Sequence, residues 1–483
     1  MLEKRDYDAV VVGSGPNGLA AAITMQRAGL SVILFEAKDT IGGGMRTEEL
    51  TLPGYFHDVC SAIHPLGADS PFFNTLPLQD YGLEWIYPEL ALAHPLDDGT
   101  TAELRLSIKD TAQSLGDDAE AYEKLVKYFT RNWNPLALEI LGPLRFPRRP
   151  ILLTKFGLKA IRSAEGLAHK TFKTPVAKGY FAGLAAHSML PLSNISTAAI
   201  GLVLGILGHH KGWPIPKGGS QYIGHAMEAY FKSLGGKVVT GHMVKSLKEL
   251  PSSHAVLFDT NTVQMMKIAG HRFSTLYKFQ LNRFKYGLGV FKIDYAYEGT
   301  IPFRSRACRE AGTVHLGGTM EEIAKAEKDA WKGIHSEKPF VLLTQQSLFD
   351  DTRAPKGKNT VWVYCHVPKG STVDMTKYIE DQIERFAPGF RERILARHTI
   401  NSAEYEAYNP NYLGGDINGG AQDVTQIFTR PAIRFSPYAT SAKGIYICSS
   451  SSPPGGGVHG MCGYYAAKRA LKDVFNIRVS PSS

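Results

Sequence analysis

Three glycines near the start of the chain, Gly13, Gly15 and Gly18, have the spacing Gly-x-Gly-x-x-Gly. The apolar run 10–12 before them predicts a buried parallel strand, and residues 19–27 predict a helix. In such a turn the first glycine permits a tight bend, the second lets a pyrophosphate approach the backbone, and the third lets the helix pack on the strand. The helix N-terminus then offers free N–H groups to the phosphates. This dinucleotide site is predicted to include Pro16 and Asn17.

A carboxylate follows the second predicted strand, which covers residues 31–35. Glu36 lies eighteen residues after Gly18, and at about this distance a carboxylate accepts a hydrogen bond from the ribose 2′-OH of a dinucleotide. A carboxylate would repel a 2′-phosphate, so NADP is disfavoured as the ligand. We expect the neighbouring Ala37 to belong to the same site.

A second glycine-rich bend at residues 42–47 reads Gly-Gly-Gly-Met-Arg-Thr. It is similar to the GG motif of flavoproteins with two dinucleotide domains, in which it continues the cofactor groove towards the flavin. The alternative is a flexible surface loop. Together with the first turn and Glu36, the bend predicts FAD as the ligand. Its predicted contacts are Gly43, Gly44, Met45, Arg46 and Thr47.

A polar, glycine-rich segment near the end of the chain supplies the other predicted half of the FAD site. It follows a predicted buried strand, 445–447, and precedes a helix predicted over 463–474. Hydroxyls and free N–H groups at such a turn suit the ribityl and pyrophosphate oxygens, and a glycine run lets backbone lie flat beside the isoalloxazine ring. The predicted contacts are Ser449, Ser450, Gly457, Val458 and His459.

Two histidines near these motifs are candidates for proton transfer. Flavin chemistry asks little of the protein beyond placing the substrate and tuning electrostatics, because the ring itself takes the hydride. We name His459 and His64 as candidate catalytic residues, and a structural hydrogen-bonding role is the alternative for each. The doublet His209-His210 has no third ligand at a supporting spacing, so no metal site is predicted.

Positive charge is concentrated in one part of the chain. The net charge is +9 at pH 7, and residues 145–178 contain nine Lys or Arg and one acid. On a helical wheel Lys155, Lys159 and Arg162 share one face. The opposite face carries Leu153, Phe156, Ala160, Ala164 and Leu167. Such a basic amphipathic helix suits either an anionic membrane surface or a solvated face. Nucleic acid is a poorer partner, because no reader motif accompanies the charge.

Residues 179–210 contain no Asp, Glu, Lys or Arg. The best apolar run in this stretch, 198–208, is shorter than the roughly 20 residues that a bilayer span needs. We therefore expect buried helices that could line a hydrophobic substrate pocket. Three histidines, His187, His209 and His210, could face that pocket, although core or surface positions are the simpler alternative.

The order of predicted elements indicates an α/β protein with two interleaved domains. The dinucleotide-binding domain is predicted over 1–88, 215–275 and 425–483, and the substrate domain over 89–214 and 276–424. The first part of the substrate domain is largely helical. In the second part strand-like runs alternate with one helix, 378–386, which suggests a mixed sheet. A further strand is predicted around 242–247.

Taken together, these motifs resemble phytoene-desaturase-related FAD oxidoreductases. The resemblance rests on the N-terminal glycine motifs, on Pro-Lys-Gly-Gly-Ser at 216–220, and on the segments 409–416, 430–431 and 453–461. Within that group the pattern is most similar to the pyridine nucleotide-disulphide oxidoreductase domain-containing protein 2 type. It implies a GR2-type FAD domain and a substrate domain, with a mixed sheet plus helices, related to those of carotenoid desaturases and amine oxidases.

The resemblance also implies roles. Val244 would meet the adenine through its backbone. Ser449 and Ser450 stand where many relatives have Gly-Asp or Gly-Ala, so their hydroxyls are the expected replacement for a missing carboxylate. The implied reaction is a two-electron desaturation or dehydrogenation of a hydrophobic, isoprenoid or acyl, substrate. Amine oxidation, and a non-enzymatic prenyl-binding role like that of GDP-dissociation inhibitors, are the alternatives.

A second Gly-x-Gly-x-x-Gly unit with its strand is missing from the sequence, so a nicotinamide reaction is unsupported. Quinone, oxygen and a protein remain as candidate electron acceptors. Scattered cysteines without a CxxC pair indicate a reducing compartment, and the charged N-terminus leaves no room for a signal peptide. We therefore expect a bacterial cytoplasmic or mitochondrial matrix protein with peripheral membrane contact through residues 145–178.

Overall fold

The computed structural model describes residues 4–427 and 429–479, in which two large sheets, two small two-stranded sheets and the surrounding helices form the fold. The strands are β1 Tyr7–Val12, β2 Val32–Phe35, β3 Thr47–Glu49, β4 Phe56–Asp58, β5 Trp85–Ile86, β6 Leu90–Pro95, β7 Thr101–Arg105, β8 Ile215–Pro216, β9 Lys237–Val239, β10 Ser253–Phe258, β11 Gly289–Glu298, β12 Thr313–Leu316, β13 Val341–Thr344, β14 Lys358–Val367, β15 Ile394–Ile400 and β16 Ile445–Ile447.

The helices are α1 Pro16–Arg27, α2 Pro65–Ala68, α3 Ile108–Ser114, α4 Ala119–Arg131, α5 Trp133–Ile140, α6 Pro150–Ala160, α7 Ala164–Thr171, α8 Pro175–Ala186, α9 Thr197–His210, α10 Gln221–Ser233, α11 Thr262–Ala269, α12 Thr275–Asn282, α13 Arg306–Glu310, α14 Met320–Trp331, α15 Thr376–Phe386, α16 Ser402–Tyr408, α17 Val424–Ile427 and α18 Met461–Phe475.

The first sheet is parallel and has the strand order β16-β10-β1-β2-β9. Its strands come from the beginning, the middle and the end of the chain, so the discontinuous Rossmann-like fold is confirmed. Side chains of β1 alternate between the two faces: Ala9 and Val11 belong to the core that contains α1 and α18, and Val10 and Val12 to the core that contains α11. The domain boundaries given above stay predictions.

Helices α1 and α18 pack so closely that a glycine is required between them. A Cβ atom on Gly463 would lie 1.8 Å from the carbonyl oxygen of Asn17. Helix α1 begins at Pro16, three residues before the predicted start, because proline is well suited to the first turn of a helix. The close contact brings the two predicted halves of the FAD site together at one end of the parallel sheet.

The second sheet has the order β15-β11-β14-β13-β12-β6-β7, with β6 and β12 parallel and the other pairs antiparallel. The predicted mixed sheet is therefore confirmed. The prediction of a single helix between 276 and 424 is wrong. Helix α14, for example, has a capping box in which Thr319 and Glu322 satisfy each other's backbone N–H groups, and its T-x-x-E signature was present in the sequence.

The strand predicted around 242–247 is absent. The backbone N–H groups of Gly241 and His242 donate to the carbonyl oxygens of Lys38 and Glu36, beyond the end of β2. The segment is therefore held by the turn that follows β2 and does not form a regular strand pair.

The predicted basic helix is also wrong, because the chain forms two helices here, α6 and α7. Ser163 begins α7 by accepting the N–H of Gly166 at 3.0 Å on its hydroxyl, which is a typical N-cap. Arg162 lies between the helices and donates to the carbonyl oxygen of Gly166, so it does not share a helical face with Lys155. Within residues 4–427 and 429–479, none of the helices has the length and apolar character needed to cross a membrane.

Candidate functional site

A cavity of about 640 Å³ lies between the two sheets. The carboxyl ends of β1, β2, β10 and β16 border what we call the dinucleotide end, which is where ligands of parallel sheets bind. What we call the apolar end lies between the second sheet and a wall formed by α9 and by residues 187–189, which follow α8. The predicted cofactor contacts that line the cavity are Gly13, Gly15, Pro16, Asn17, Glu36, Ala37, Gly43, Gly44, Arg46, Val244, Ser449, Ser450, Gly457 and Val458.

The two glycine bends touch each other at the dinucleotide end. A Cβ atom on Gly43, whose φ is +57°, would lie 2.9 Å from the Cα atom of Gly15. The N–H of Gly42 also donates to the carbonyl oxygen of Ser14 at 3.1 Å. Only glycines permit this approach, so the second bend is a wall of the cavity and not the flexible surface loop considered above.

The Glu36 carboxylate is held by four donors. One oxygen accepts the N–H and the hydroxyl of Ser14, at 3.0 and 2.5 Å, and the other accepts the N–H of Lys38 and the guanidinium of Arg46, at 2.9 and 3.0 Å. A carboxylate has about four lone-pair sites. A ribose hydroxyl must therefore replace or share one of these donors, which the sequence spacing alone did not reveal.

Asp259, which was not among the predicted site residues, lies at the N-terminus of α1. Its carboxylate accepts the N–H of Gly18 at 2.7 Å and is also bonded by the N–H of Gly15. Burial raises the pKa of Asp259 to about 7; the Gly18 amide opposes that rise and the charge of Glu36 adds to it. Asp259 therefore changes charge near neutral pH at the place where the motif predicts a pyrophosphate. The sequence does contain a signal for Asp259, because polar residues at the carboxyl end of a parallel strand are typical of ligand sites.

Some predicted contacts lie behind the cavity wall. A Cβ atom on Gly18 would lie 2.0 Å from the carbonyl oxygen of Gly13, so this glycine serves packing. Met45 is fully buried in the core. The hydroxyl of Thr47 donates to Asp58 at 2.7 Å.

His459 is not among the described residues that line the cavity. Its Nδ1 accepts the N–H of Met461 at 3.0 Å, at the start of α18, and its ring is also bonded to the backbone of Gly455 and Gly456. Burial lowers the pKa of His459 to about 4. This geometry favours the structural role for His459 over a catalytic one.

His64 does line the cavity. Its Nε2 lies 2.8 Å from the hydroxyl of Ser220, which itself donates to the carbonyl oxygen of Ser61 at 2.6 Å. Because the hydroxyl proton is used in that second bond, Nε2 of His64 must be the donor and Nδ1 carries a lone pair. Within the described residues Nδ1 is buried without a partner. Burial lowers the pKa of His64 to about 4, so the ring is neutral at physiological pH.

The apolar end takes its helical wall from the uncharged stretch, as expected. The side chains on this wall are Met189, Ile200, Val203 and Leu204, with Trp213 beside them. His187 also lines it, with a pKa that burial lowers to about 3. His209 instead bonds Tyr122 at 2.6 Å, and His210 pairs with Asp69 at 2.6 Å.

The opposite wall of the apolar end comes from the second sheet. The position of this sheet relative to the first could not be predicted from the sequence. The residues on it are Thr313, Leu342, Thr344, Trp362 and Tyr364. Cys60 and Tyr412 complete the wall next to Gly44. Burial raises the pKa of the Cys60 thiol, so it remains protonated.

The dinucleotide end suits a group with many hydroxyls and phosphates. Glycine backbone forms its floor, and two polar atoms there, Asn17 Oδ1 and Thr260 Oγ1, are buried without partners among the described residues. Buried polar atoms are nearly always satisfied. The residues present therefore fit FAD, which Gly15, Glu36 and Ser449 would hold at its pyrophosphate, ribose and ribityl portions. Among the same described residues, no group of three or more His, Cys, Asp or Glu is placed to hold a metal ion.

Comparisons with known proteins agree with this geometry. The NAD(P)-binding Rossmann-like domain family matches residues 11–76, which contain both glycine bends. The chain is 25% identical to pyridine nucleotide-disulfide oxidoreductase domain-containing protein 2 of Mus musculus, over 98% of this chain and 95% of that protein. It is 21% identical to a lycopene-forming phytoene desaturase of a Paracoccus species, over 94% of this chain and 95% of that one.

The fold is also found among solved structures. Wild-type putrescine oxidase bound to putrescine has a TM-score of 0.64 at 16% identity, over 98% of this chain and 99% of that one. At this identity the likeness shows the fold alone. The full-length sequence matches confirm that the chain resembles phytoene-desaturase-related oxidoreductases, and pyridine nucleotide-disulphide oxidoreductase domain-containing protein 2 among them.

Proposed function

We propose that this protein is an FAD-dependent oxidoreductase that desaturates or dehydrogenates a hydrophobic substrate by removing two electrons. The observation that carries the proposal is the shared cavity: dinucleotide motifs line one end and apolar side chains line the other. A cofactor held at the first end would meet a substrate held at the second. The relatives named above are oxidoreductases, which supports an enzyme.

The charges around the cavity support an uncharged substrate. Among the described residues that line it, the carboxylates are Glu36 and Asp259, and both lie at the dinucleotide end. A protonated amine buried at the apolar end would therefore lack a counter-charge, and burying an unpaired charge is costly. Amine oxidation, which the putrescine oxidase fold keeps as the alternative, is the less favoured reaction.

The protein's own contribution to the reaction is positioning and the exclusion of water. When bound, FAD supplies the two-electron chemistry by accepting a hydride. Helix α9 and the segment after α8 keep the substrate against the second sheet, and His64 adds a neutral ring to the cavity lining. Its low pKa means that His64 accepts a hydrogen bond, or a proton only transiently, across the physiological range.

The direct test is anaerobic mixing of flavin-loaded protein with a panel of isoprenoid, acyl and amine compounds. A true substrate bleaches the flavin, and we expect bleaching by an uncharged hydrophobic compound. Rapid bleaching by putrescine and none by lipids would favour amine oxidation over the oxidation of a hydrophobic substrate. A protein that refuses FAD altogether would favour the prenyl-binding alternative.

We further propose that the segment 143–161 contacts an anionic membrane surface from which the substrate is drawn. Leu144, Phe146 and Ile151 are 71%, 97% and 71% exposed, and they alternate with arginines. The arginines are Arg145, Arg148 and Arg149. Exposed apolar groups can enter the headgroup layer while each nearby cation adds about 1 kcal/mol. This arrangement replaces the predicted continuous helix. The cytoplasm or the mitochondrial matrix stays the predicted location.

A further inference from the structure

Three polar side chains form a row across the sheet wall of the apolar end. Thr313 of β12 lies opposite Thr344 of β13, and Thr344 lies opposite Trp362 of β14. Residues directly opposite each other on antiparallel strands share a face of the sheet, and all three line the cavity. We call these three residues the polar row.

The polar row has no hydrogen-bond partners in the part of the chain that the structure describes. Thr313 Oγ1, Thr344 Oγ1 and Trp362 Nε1 are each buried and unpaired. The two hydroxyls do not bond each other, although they are cross-strand neighbours. An unpaired buried polar group is costly. The three atoms have almost no open surface, but their residues line one cavity, so a ligand that draws these groups towards it would satisfy them.

The donors in the polar row determine which kind of ligand atom can bind there. An indole N–H only donates, and a hydroxyl donates or accepts, so the ligand must offer an acceptor. The surroundings are uncharged: His187 has a pKa lowered to about 3 by burial, and burial also lowers the pKa of His315, which lies 3.1 Å from it. Lys292, opposite Tyr364 in the same sheet, is ion-paired with Asp294. Among the described residues, a carboxylate would find no free cation at this end, so the acceptor is an uncharged oxygen.

We propose that the substrate is amphipathic: its hydrocarbon part lies against α9 and Met189, and an uncharged oxygen, in a ketone, ester or alcohol, binds the polar row. This inference rests on the proposed function because it takes the apolar end as the substrate's place. Anchoring the oxygen on the sheet also determines which carbon points towards the dinucleotide end. The polar row is thus a determinant of specificity that separates oxygenated substrates from pure hydrocarbons and from amines.

The test uses flavin-loaded protein and five eight-carbon probes: octane, 2-octanone, 1-octanol, octanoate and octylamine. Binding is followed by the rise in unfolding temperature and by the shift of the flavin absorption bands. We expect 2-octanone and 1-octanol to bind at least about fivefold tighter than the other three, since one net hydrogen bond is worth about 1 kcal/mol. Equal affinity for octane, or tightest binding of octylamine or octanoate, overturns the proposal.

Variants of the polar row test whether these three residues cause the preference for oxygenated probes. Thr313→Val, Thr344→Val and Trp362→Phe should each weaken 2-octanone about fivefold and leave octane unchanged. Thr344→Ser keeps a hydroxyl and should restore ketone binding, and Thr399→Val, exposed on the same sheet, should change nothing. The proposal is contradicted if the variants lose ketone and octane binding equally. Thr344→Ser serves as the folding control, because it keeps the hydroxyl at the same position.

Failure of the proposed function looks different from failure of the polar row. If the protein prefers the ketone but its flavin is never reduced, the polar row is supported as a binding site and the proposed oxidation is refuted. If hydrocarbons reduce the flavin and oxygenated probes bind no tighter, the oxidation is supported and the polar row is refuted.

Discussion

The two ends of the cavity are built by different means. At the dinucleotide end, short glycine motifs place backbone atoms, and most of the walls come from turns next to strand ends of one parallel sheet. At the apolar end, the walls come from side chains of one helix, of the segment after α8 and of three strands that are far apart in the sequence. The first end is therefore specified locally and the second by tertiary packing. Substitutions should separate cofactor binding from substrate binding along this division.

The largest effect is expected from Gly15→Ala at the dinucleotide end. The new Cβ atom would lie 2.6 Å from a carboxylate oxygen of Asp259, at the tip of a side chain that can move, so the fold should survive. The space for the pyrophosphate is lost, and we expect FAD affinity to fall about a hundredfold, or about 2.8 kcal/mol. Fluorescence titration with FAD measures this.

Gly157→Ala is the matched control for that variant. This glycine lies in helix α6 with open space around it, and alanine favours helices by about 1 kcal/mol. FAD affinity should not change and stability should be equal or higher. Normal FAD binding by Gly15→Ala would contradict the placement of the cofactor.

The second-largest effect is expected at the apolar end, where a substitution should impair substrate reduction and leave FAD binding intact. Leu204→Gln places a polar group among the apolar side chains of the helical wall, so we expect anaerobic flavin reduction by the best hydrophobic substrate to slow about tenfold. FAD content should stay normal. Leu158→Gln, on a leucine that is 70% exposed, is the control. A drop in FAD content with unchanged substrate reduction would contradict the division into two ends.

A smaller, pH-dependent effect is expected from Asp259. Its pKa of about 7 makes it neutral below that pH and negative above it, so the pyrophosphate is repelled more as pH rises through 7. The groups that face it are Glu36, which adds to the repulsion, and the thiols Cys448 and Cys462, whose raised pKa values keep them uncharged. The FAD dissociation constant should therefore rise severalfold between pH 6 and pH 8.

Asp259→Asn isolates this cause. The amide oxygen can still accept the N–H of Gly18, but it carries no charge at any pH, so the dissociation constant should become flat over the same range. A slope that persists in Asp259→Asn would assign the pH dependence to another group.

Much of the dinucleotide end could be predicted from the sequence. The glycine spacing, Glu36 and the strand Ile445–Ile447 lie where the pattern predicts them, because each depends on neighbours within a few residues. The polar row could not be found in this way. Thr313, Thr344 and Trp362 are brought together by strand register, and a one-residue slip would turn each to the other face. The basic helix was mispredicted because helical periodicity continues across the Ser163 cap.

The smallest effect concerns the exposed segment outside both ends. Phe146→Ser removes an almost fully exposed apolar side chain, and Arg148→Gln removes one cation. Each should weaken sedimentation with anionic vesicles severalfold, the second more at low salt because of screening. FAD content and substrate reduction in detergent should not change. Binding that is indifferent to lipid charge and to both substitutions would make this segment an ordinary solvated surface.

The most direct test of the shared cavity is the visible absorption of FAD-reconstituted protein, recorded before and after addition of 2-octanone without oxygen. We expect the protein to be yellow with one FAD per chain, and the hydrophobic ligand to shift the flavin bands because both ligands occupy one cavity. A colourless protein that refuses FAD, or flavin bands that no hydrophobic ligand alters, would contradict it.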